Sequence, residues 1–211
     1  MRVRSATVLF DRFPALARCD FEAFEGEVVL LQGPNGSGKT TLLRLLGGLL
    51  DAYSGEVLIF GRDPKLEARA IRREVSYLAH AYQMYEDLSA RENVEFFAAV
   101  SGYDSAAAIA WAGRMGMAGR DLDTRFRQLS AGQRKKISAA VAFARPTELL
   151  LVDEPHALLD EETKISLDSG LSEIAGSGKT VIVASHELER ASRLANRTYR
   201  MSNGAAFQLE R

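Results

Sequence analysis

The chain has 211 residues, enough for one well-buried core carrying at most a small inserted subdomain and a tight fit for two independent domains. It is 46% hydrophobic and 26% charged, the balance of a globular protein, which excludes disordered and fibrous classes. Lys and Arg number 27 against 28 Asp and Glu, a formal net charge of -1, so no global field exists to hold a nucleic-acid backbone and no nucleic-acid partner is expected.

Short β-like runs open the chain: Arg2 to Leu9 and Cys19 to Phe24 alternate in part, and Glu27 to Leu31 reads as a buried apolar strand. The single cysteine, Cys19, cannot form an internal disulfide and has no metal-ligand spacing around it, which predicts a small core residue in a reducing cytoplasm. The N-terminus MRVRSATVLFDRF is interrupted by Asp11 and Arg12 before any signal-peptide h-region can form. A glycine-rich turn then leads into the helical run TTLLRLLGGLL, followed by predicted strands at Glu56 to Phe60 and Val75 to Leu78.

From about Ala90 to Arg145 the chain is rich in Ala, Glu, Arg and Met at helical spacing, which predicts an inserted helical subdomain over approximately residues 82–147 of a single 1–211 domain. Apolar stretches such as Ile137 to Ala144 fall short of the roughly 20 residues of a membrane helix, so any membrane role must come through a partner. Strands then return at Glu148 to Asp153 and Thr180 to Ser185 around a helix over Glu161 to Ala175, the βαβ pattern of a parallel sheet. Arg197 to Leu209 reads as a hairpin turning at Asn203-Gly204.

The segment Gly33-Pro34-Asn35-Gly36-Ser37-Gly38-Lys39-Thr40, continued by Thr41, fits G-x-x-x-x-G-K-[ST] between a strand and a helix. Gly36 and Gly38 let the backbone bend so that N–H groups and the helix start converge on a polyphosphate. Lys39 would place its charge on the β and γ phosphates, and the Thr40 hydroxyl would ligate Mg²⁺. A second GSGKT, Gly176 to Thr180, fails the test: Glu173 stands where the pattern needs its first glycine, and Lys179 precedes a strand, so it reads as a polar turn with Lys179 exposed. The run Leu149 to Val152 ends in Asp153 and Glu154, adjacent carboxylates that are costly without a nearby cation. Beside bound Mg²⁺ and ATP, Asp153 fits the metal-supporting role and Glu154 faces the water that would attack the γ-phosphate.

Leu129-Ser130-Ala131-Gly132-Gln133 is similar to the LSGGQ signature of ABC transporter ATP-binding subunits, with Ala131 in place of a glycine. The resemblance extends over essentially the whole chain, through GPNGSGKTT, the Walker B run ending at Pro155, the Leu159-Asp160 pair of a D-loop and Ser185-His186 as a switch histidine. It implies an α/β fold: a P-loop NTPase core with a mostly parallel sheet, an N-terminal antiparallel β part and an inserted helical subdomain. It implies a head-to-tail pair, formed with a second copy or a homologous ATPase subunit, that holds two ATP between P-loops and the opposing Ser130, Gly132 and Gln133. It further implies an integral membrane permease as partner and a place on the cytoplasmic face of the inner membrane.

His186 would hold the γ-phosphate and the attacking water in line with Glu154, while His156 reads as structural. The Q-loop glutamine of the family is replaced by His80 beside the metal, with Gln83 as the competing residue. Phe10 would stack on adenine, with Phe13 as competitor. The YLAH segment and the LSAGQ variant also resemble the heme-exporter ATP-binding subunits of cytochrome c maturation. Two other classes stay in view: a soluble ABC ATPase acting without a permease, and a simple P-loop kinase.

Overall fold

In the computed structural model, residues 1–81, 83–157, 159–186, 192 and 195–209 are described. β1 (Arg2–Phe10) and β2 (Phe13–Glu22) form an antiparallel hairpin whose turn uses Asp11 at φ 54°. Strict alternation in β1 breaks at Ser5, also left-handed at φ 46°, where the pairing register shifts and lets Val3, Ala6 and Val8 all face inward. β4 (Ser54–Leu58) pairs with the free edge of β1 to complete a three-stranded antiparallel sheet. Cys19 in β2 is fully buried, as its expected core role requires.

The second sheet has the order β5-β6-β7-β3-β8-β9, built from β5 (Val75–Leu78), β6 (Leu149–Asp153), β7 (Thr180–Ala184), β3 (Val28–Gln32), β8 (Arg197–Ser202) and β9 (Ala205–Leu209). All neighbours are parallel except β9, which returns antiparallel from β8 through the Asn203-Gly204 turn. β6 and β7 are buried at every position because both faces of the sheet are covered. On one face, Val29, Leu31, Leu151 and Ile182 pack with Leu42, Leu43 and Leu46 of α1 (Lys39–Leu46) and with the antiparallel sheet. On the other, Leu150, Val152, Val181 and Val183 pack against helices.

Apart from the helix that follows β6, which adds Leu167, Leu171 and Ile174, those helices come from the stretch between β5 and β6, which among its described residues carries no strand: α3 (Ala90–Ser101), α4 (Ser105–Arg114), the short α5 (Arg120–Asp123), a 3₁₀ turn (Phe126–Gln128) and α6 (Ala131–Ala144). Tyr82, where this helical stretch was expected to begin, lies outside the described residues. α7 (Glu161–Gly176) supplies the crossover from β6 to β7. Among the described residues, no helix is long and apolar enough to cross a membrane.

The strand expected at Glu56 to Phe60 is β4, shifted to Ser54–Leu58 because the chain turns at the left-handed Phe60 and Gly61, and two further expectations need correction. β2 begins at Phe13 rather than Cys19, because its outer half pairs with the end of β1 while leaving Phe13 and Pro14 exposed, which removes the burial pattern that marks a strand. The helix after the glycine-rich turn stops at Leu46, since Gly47 and the left-handed Gly48 close it. An unanticipated helix, α2 (Pro64–Arg73), lies between β4 and β5; its start is capped by Asp63, and non-helical backbone at Glu67 splits it into pieces too short to show a helical period.

Candidate nucleotide site

β3 ends at Gln32 and feeds the loop Gly33 to Gly38, after which α1 starts. Gly38 caps that helix at φ 104°, and a Cβ there would stand 2.7 Å from Ala15 O, so the turn requires glycine on both counts. The helix begins bonding only when Leu42 N–H reaches Gly38 O at 2.8 Å, which leaves the preceding N–H groups of the first turn without helical acceptors. Ser37 Oγ is also buried with no hydrogen-bond partner. Unmet donors at a helix start are the chemistry of a phosphate cradle, and this loop fits one.

Lys39 is 6% exposed and folds back on its own loop, its Nζ donating to Gly33 O (2.7 Å) and Pro34 O (3.2 Å). Thr40 Oγ1 donates to Asp153, 3.1 Å from Oδ1 and 2.9 Å from Oδ2, so α1 and the end of β6 meet through a hydroxyl and a buried carboxylate. These hard oxygen donors suit Mg²⁺, which takes few protein ligands and completes its shell with phosphate and water. Among the described residues, no cluster of three His, Cys, Asp or Glu forms an all-protein metal cage.

Asp153 has another partner that the sequence reading did not single out. Tyr77 on β5 donates its hydroxyl to Asp153 Oδ2 at 3.2 Å. Burial first, and then the Asp153 charge, push the Tyr77 phenol well above its ordinary range, so it remains a donor at any physiological pH. The pairing brings together residues far apart in sequence, and only the β5–β6 register makes it visible.

Glu154 follows β6 with a left-handed φ of 45°, a backbone state that costs a non-glycine residue about 1–2 kcal/mol. Its N–H donates to Ala184 O, and its Oε2 accepts from the His186 N–H at 3.2 Å. Glu154 Oε1 is buried without a hydrogen bond, although it stands 3.1 Å from His186 Nε2 and 3.7 Å from Lys39 Nζ. The His186 ring, 44% exposed, also meets Asn35 Oδ1 at 2.7 Å.

These residues border one cavity of about 680 Å³, whose wall includes Phe10, Lys39, His80, Gln83, Glu154 and His186. Phe10 therefore lies at the site, whereas Phe13 is 79% exposed and takes no part in its wall. His80 and Gln83 both reach the cavity, so the geometry separates neither from the other.

Ser130, Gly132 and Gln133 do not line this cavity. Ser130 caps α6 through a complete capping box: its Oγ accepts from Gln133 N–H (3.2 Å) while Gln133 Oε1 accepts from Ser130 N–H (3.0 Å). Gln133 Nε2 also donates to Asp121. A Cβ on Gly132 would stand 2.9 Å from Thr163 Oγ1 and 3.6 Å from Asp160 Oδ2, so this position seats the start of α6 against the start of α7.

The residues set aside by the sequence reading behave less uniformly. His156 is buried with its Nε2 2.7 Å from Asp168 Oδ1, a structural pairing. Lys179 is not solvent-exposed as expected: it is half-buried and donates to Arg145 O at 3.1 Å, because the turn before β7 folds over the end of α6.

A family profile described as ABC transporter matches residues 16–157. The chain is 34% identical to the sulfate/thiosulfate import ATP-binding protein CysA of Caulobacter vibrioides, over 98% of this chain and 63% of that protein's length. It is 39% identical to the cytochrome c biogenesis ATP-binding export protein CcmA of Xanthomonas campestris pv. campestris, over 82% of this chain and 80% of that protein. Its structure superposes on a dimeric ATP-binding cassette in a post-hydrolysis state bound to ADP and Pi with a TM-score of 0.89 at 26% identity, covering 99% of this chain and 97% of that one. A P-loop, a carboxylate pair and a signature-type helix start, set in this fold and matched by this profile over most of the chain, place the protein in the ABC transporter family.

Proposed function

We propose that the chain is the ATP-hydrolysing subunit of an ABC transporter, working as a pair around two ATP and driving a separate integral membrane permease from the cytoplasmic face of the inner membrane. The observation that carries this reading is the meeting of Lys39, Thr40, Asp153, Glu154 and His186 at one cavity beneath a helix start.

The loop donors and Lys39 hold the β and γ phosphates. Thr40 and Asp153 would hold the magnesium, which when bound would supply charge neutralisation for the leaving oxygen. Glu154 accepts a proton from the water whose oxygen bonds to the γ-phosphorus as the bond to the bridging oxygen breaks, giving ADP and phosphate. His186, joined to Glu154 through its own N–H, orients the γ-phosphate against that water. Phe10 offers a face for adenine, and His80 or Gln83 closes the wall beside the metal. Ser130 and Gly132 would meet the γ-phosphate of the opposing subunit, with Gln133 holding Ser130 in place.

Support for a permease partner lies beside β5. A groove of about 240 Å³ there includes Leu49, Ala81, Met84 and Phe97 in its wall. Tyr85 and Phe96, stacked edge to face at 4.9 Å, stay half exposed nearby. Relatives of this chain carry both import and export in their names, and the cargo would contact the permease.

The test is Glu154→Gln, which keeps the shape and removes the base. Turnover should fall at least ~100-fold while ATP binding persists and an ATP-dependent dimer accumulates on gel filtration. Undiminished turnover with a monomer throughout would overturn the reading.

A further inference from the structure

Lys135 lies on α6 beyond the signature residues and is 3% exposed, an unusual place for an ammonium. Its Nζ donates to Ala79 O at 3.2 Å. A second buried bond joins the same two elements: Ser76 Oγ donates to Ala142 O at 2.8 Å. Lys135 and Ala142 are seven residues, two helical turns, apart on one face of α6, while Ser76 and Ala79 bracket the end of β5. Two ties at two points fix a helix against a strand in both position and rotation.

The ends of this pinned pair are what matter. Directly beyond Ala79, the residues His80, Ala81 and Gln83 line the nucleotide cavity. Directly before Lys135, the capped start of α6 carries Ser130 and Gly132. Burial lowers the Lys135 ammonium to about 8, with the carboxylates of Asp153 and Glu154 acting in the opposite direction, so the group is still charged at neutral pH and is a strong donor to the carbonyl. A neutral, apolar side chain of the same length would fill the space without that bond.

We propose that Lys135 is a positioning residue which transmits occupancy of a subunit's own nucleotide cavity, through Ala79, to the α6 start that the subunit presents to its partner. The proposal rests on the functional reading above, and adds to it a link within one chain between two sites used in different places.

Hydrogen–deuterium exchange tests the link in the full chain, held by dilution at a concentration where light scattering reports a monomer, with and without a non-hydrolysable ATP analogue and Mg²⁺. In the unmutated chain the analogue should slow exchange at residues 33–41 and also at 130–137. Lys135→Met should keep the first effect and lose most of the second, a drop of at least threefold in protection. Lys135→Arg, which can still donate, should restore it. Equal protection of 130–137 in Lys135→Met and the unmutated chain would overturn the inference alone. No protection at 33–41 in the unmutated chain would overturn the functional reading and the inference with it. Should Lys135→Met fail to show a cooperative thermal transition, Ser76→Ala takes its place: weakening the second tie must reduce protection at 130–137 without reducing that at 33–41, and unchanged protection there rejects the link.

Discussion

Lys39 and Lys179 stand in the same five-letter string, and their surroundings give them different work. Lys39 sits in a loop that ends a buried strand and opens a helix, with its Nζ drawn inward toward Gly33 O and within 3.7 Å of Glu154. Lys179 ties the turn before β7 to Arg145 O, a bond that helps seat one strand end and nothing more. Lys39→Ala should therefore abolish ATP hydrolysis and leave the fold intact. Lys179→Ala should leave hydrolysis at the unmutated rate and cost about 1 kcal/mol in urea unfolding, the usual worth of one partly exposed hydrogen bond. Equal losses of activity would refute the argument from context. The loop and the paired carboxylates were legible because their residue types carry chemistry at fixed spacing, and the signature only through its resemblance to a family motif. Tyr77 was not, since a tyrosine in a β-like run has the same appearance whether its hydroxyl meets Asp153 or solvent.

At the scale of elements, continuous apolar runs revealed the central strands, and richness in helix-forming residues revealed the inserted helical stretch that contains α6. What stayed hidden was α2, a short stretch whose helical geometry is interrupted at Glu67, and the burial of Lys135, a residue type that is almost always solvated. That burial has a thermodynamic consequence. The Lys135 pKa falls from 10.5 in the unfolded chain to about 8 in the folded one, mainly through desolvation. Below pH 8 the group is protonated in both states, and the folded state carries the whole cost, about 3 kcal/mol. Between pH 8 and 10.5 the unfolded chain holds the proton that the folded chain has released, so stability attributable to this group rises with pH. Lys135→Met never bears the cost, and replacing a buried charge by an apolar side chain of similar volume is often neutral or stabilising. Urea unfolding should show Lys135→Met at least as stable as the unmutated chain at pH 7, with its relative advantage shrinking steadily from pH 8 to 10. A gap independent of pH would mean that the ammonium is hydrated in the folded state.

At the scale of the whole molecule, the site and the signature are separate places on one chain: the cavity wall contains none of Ser130, Gly132 or Gln133, although the capping box has Ser130 ready at a helix start. If a symmetric pair brings each signature to the other chain's P-loop, every complete site draws Lys39 from one subunit and Ser130 from its partner. Two separately inactive chains should then rescue each other. Lys39→Ala has a dead P-loop and a sound signature. Ser130→Arg has a sound P-loop and a blocked signature, because a long charged side chain would occupy the space of the opposing γ-phosphate. In a mixed pair, one site combines both defects, while the other combines the two intact halves. With equal amounts and random pairing, half of the pairs are mixed and each holds one good site of two, so activity should return to about a quarter of the unmutated rate if the sites act independently. Measuring ATP hydrolysis as a function of mixing ratio should give a maximum at equal parts and zero at both ends. A line at zero throughout would place Ser130 and Lys39 in the same subunit's site or leave the two sites unable to work singly; Lys39→Ala/Ser130→Arg on one chain, paired with an unmutated chain, separates these, because the head-to-tail arrangement leaves that pair no intact site whereas assembly within one chain leaves the unmutated subunit fully active.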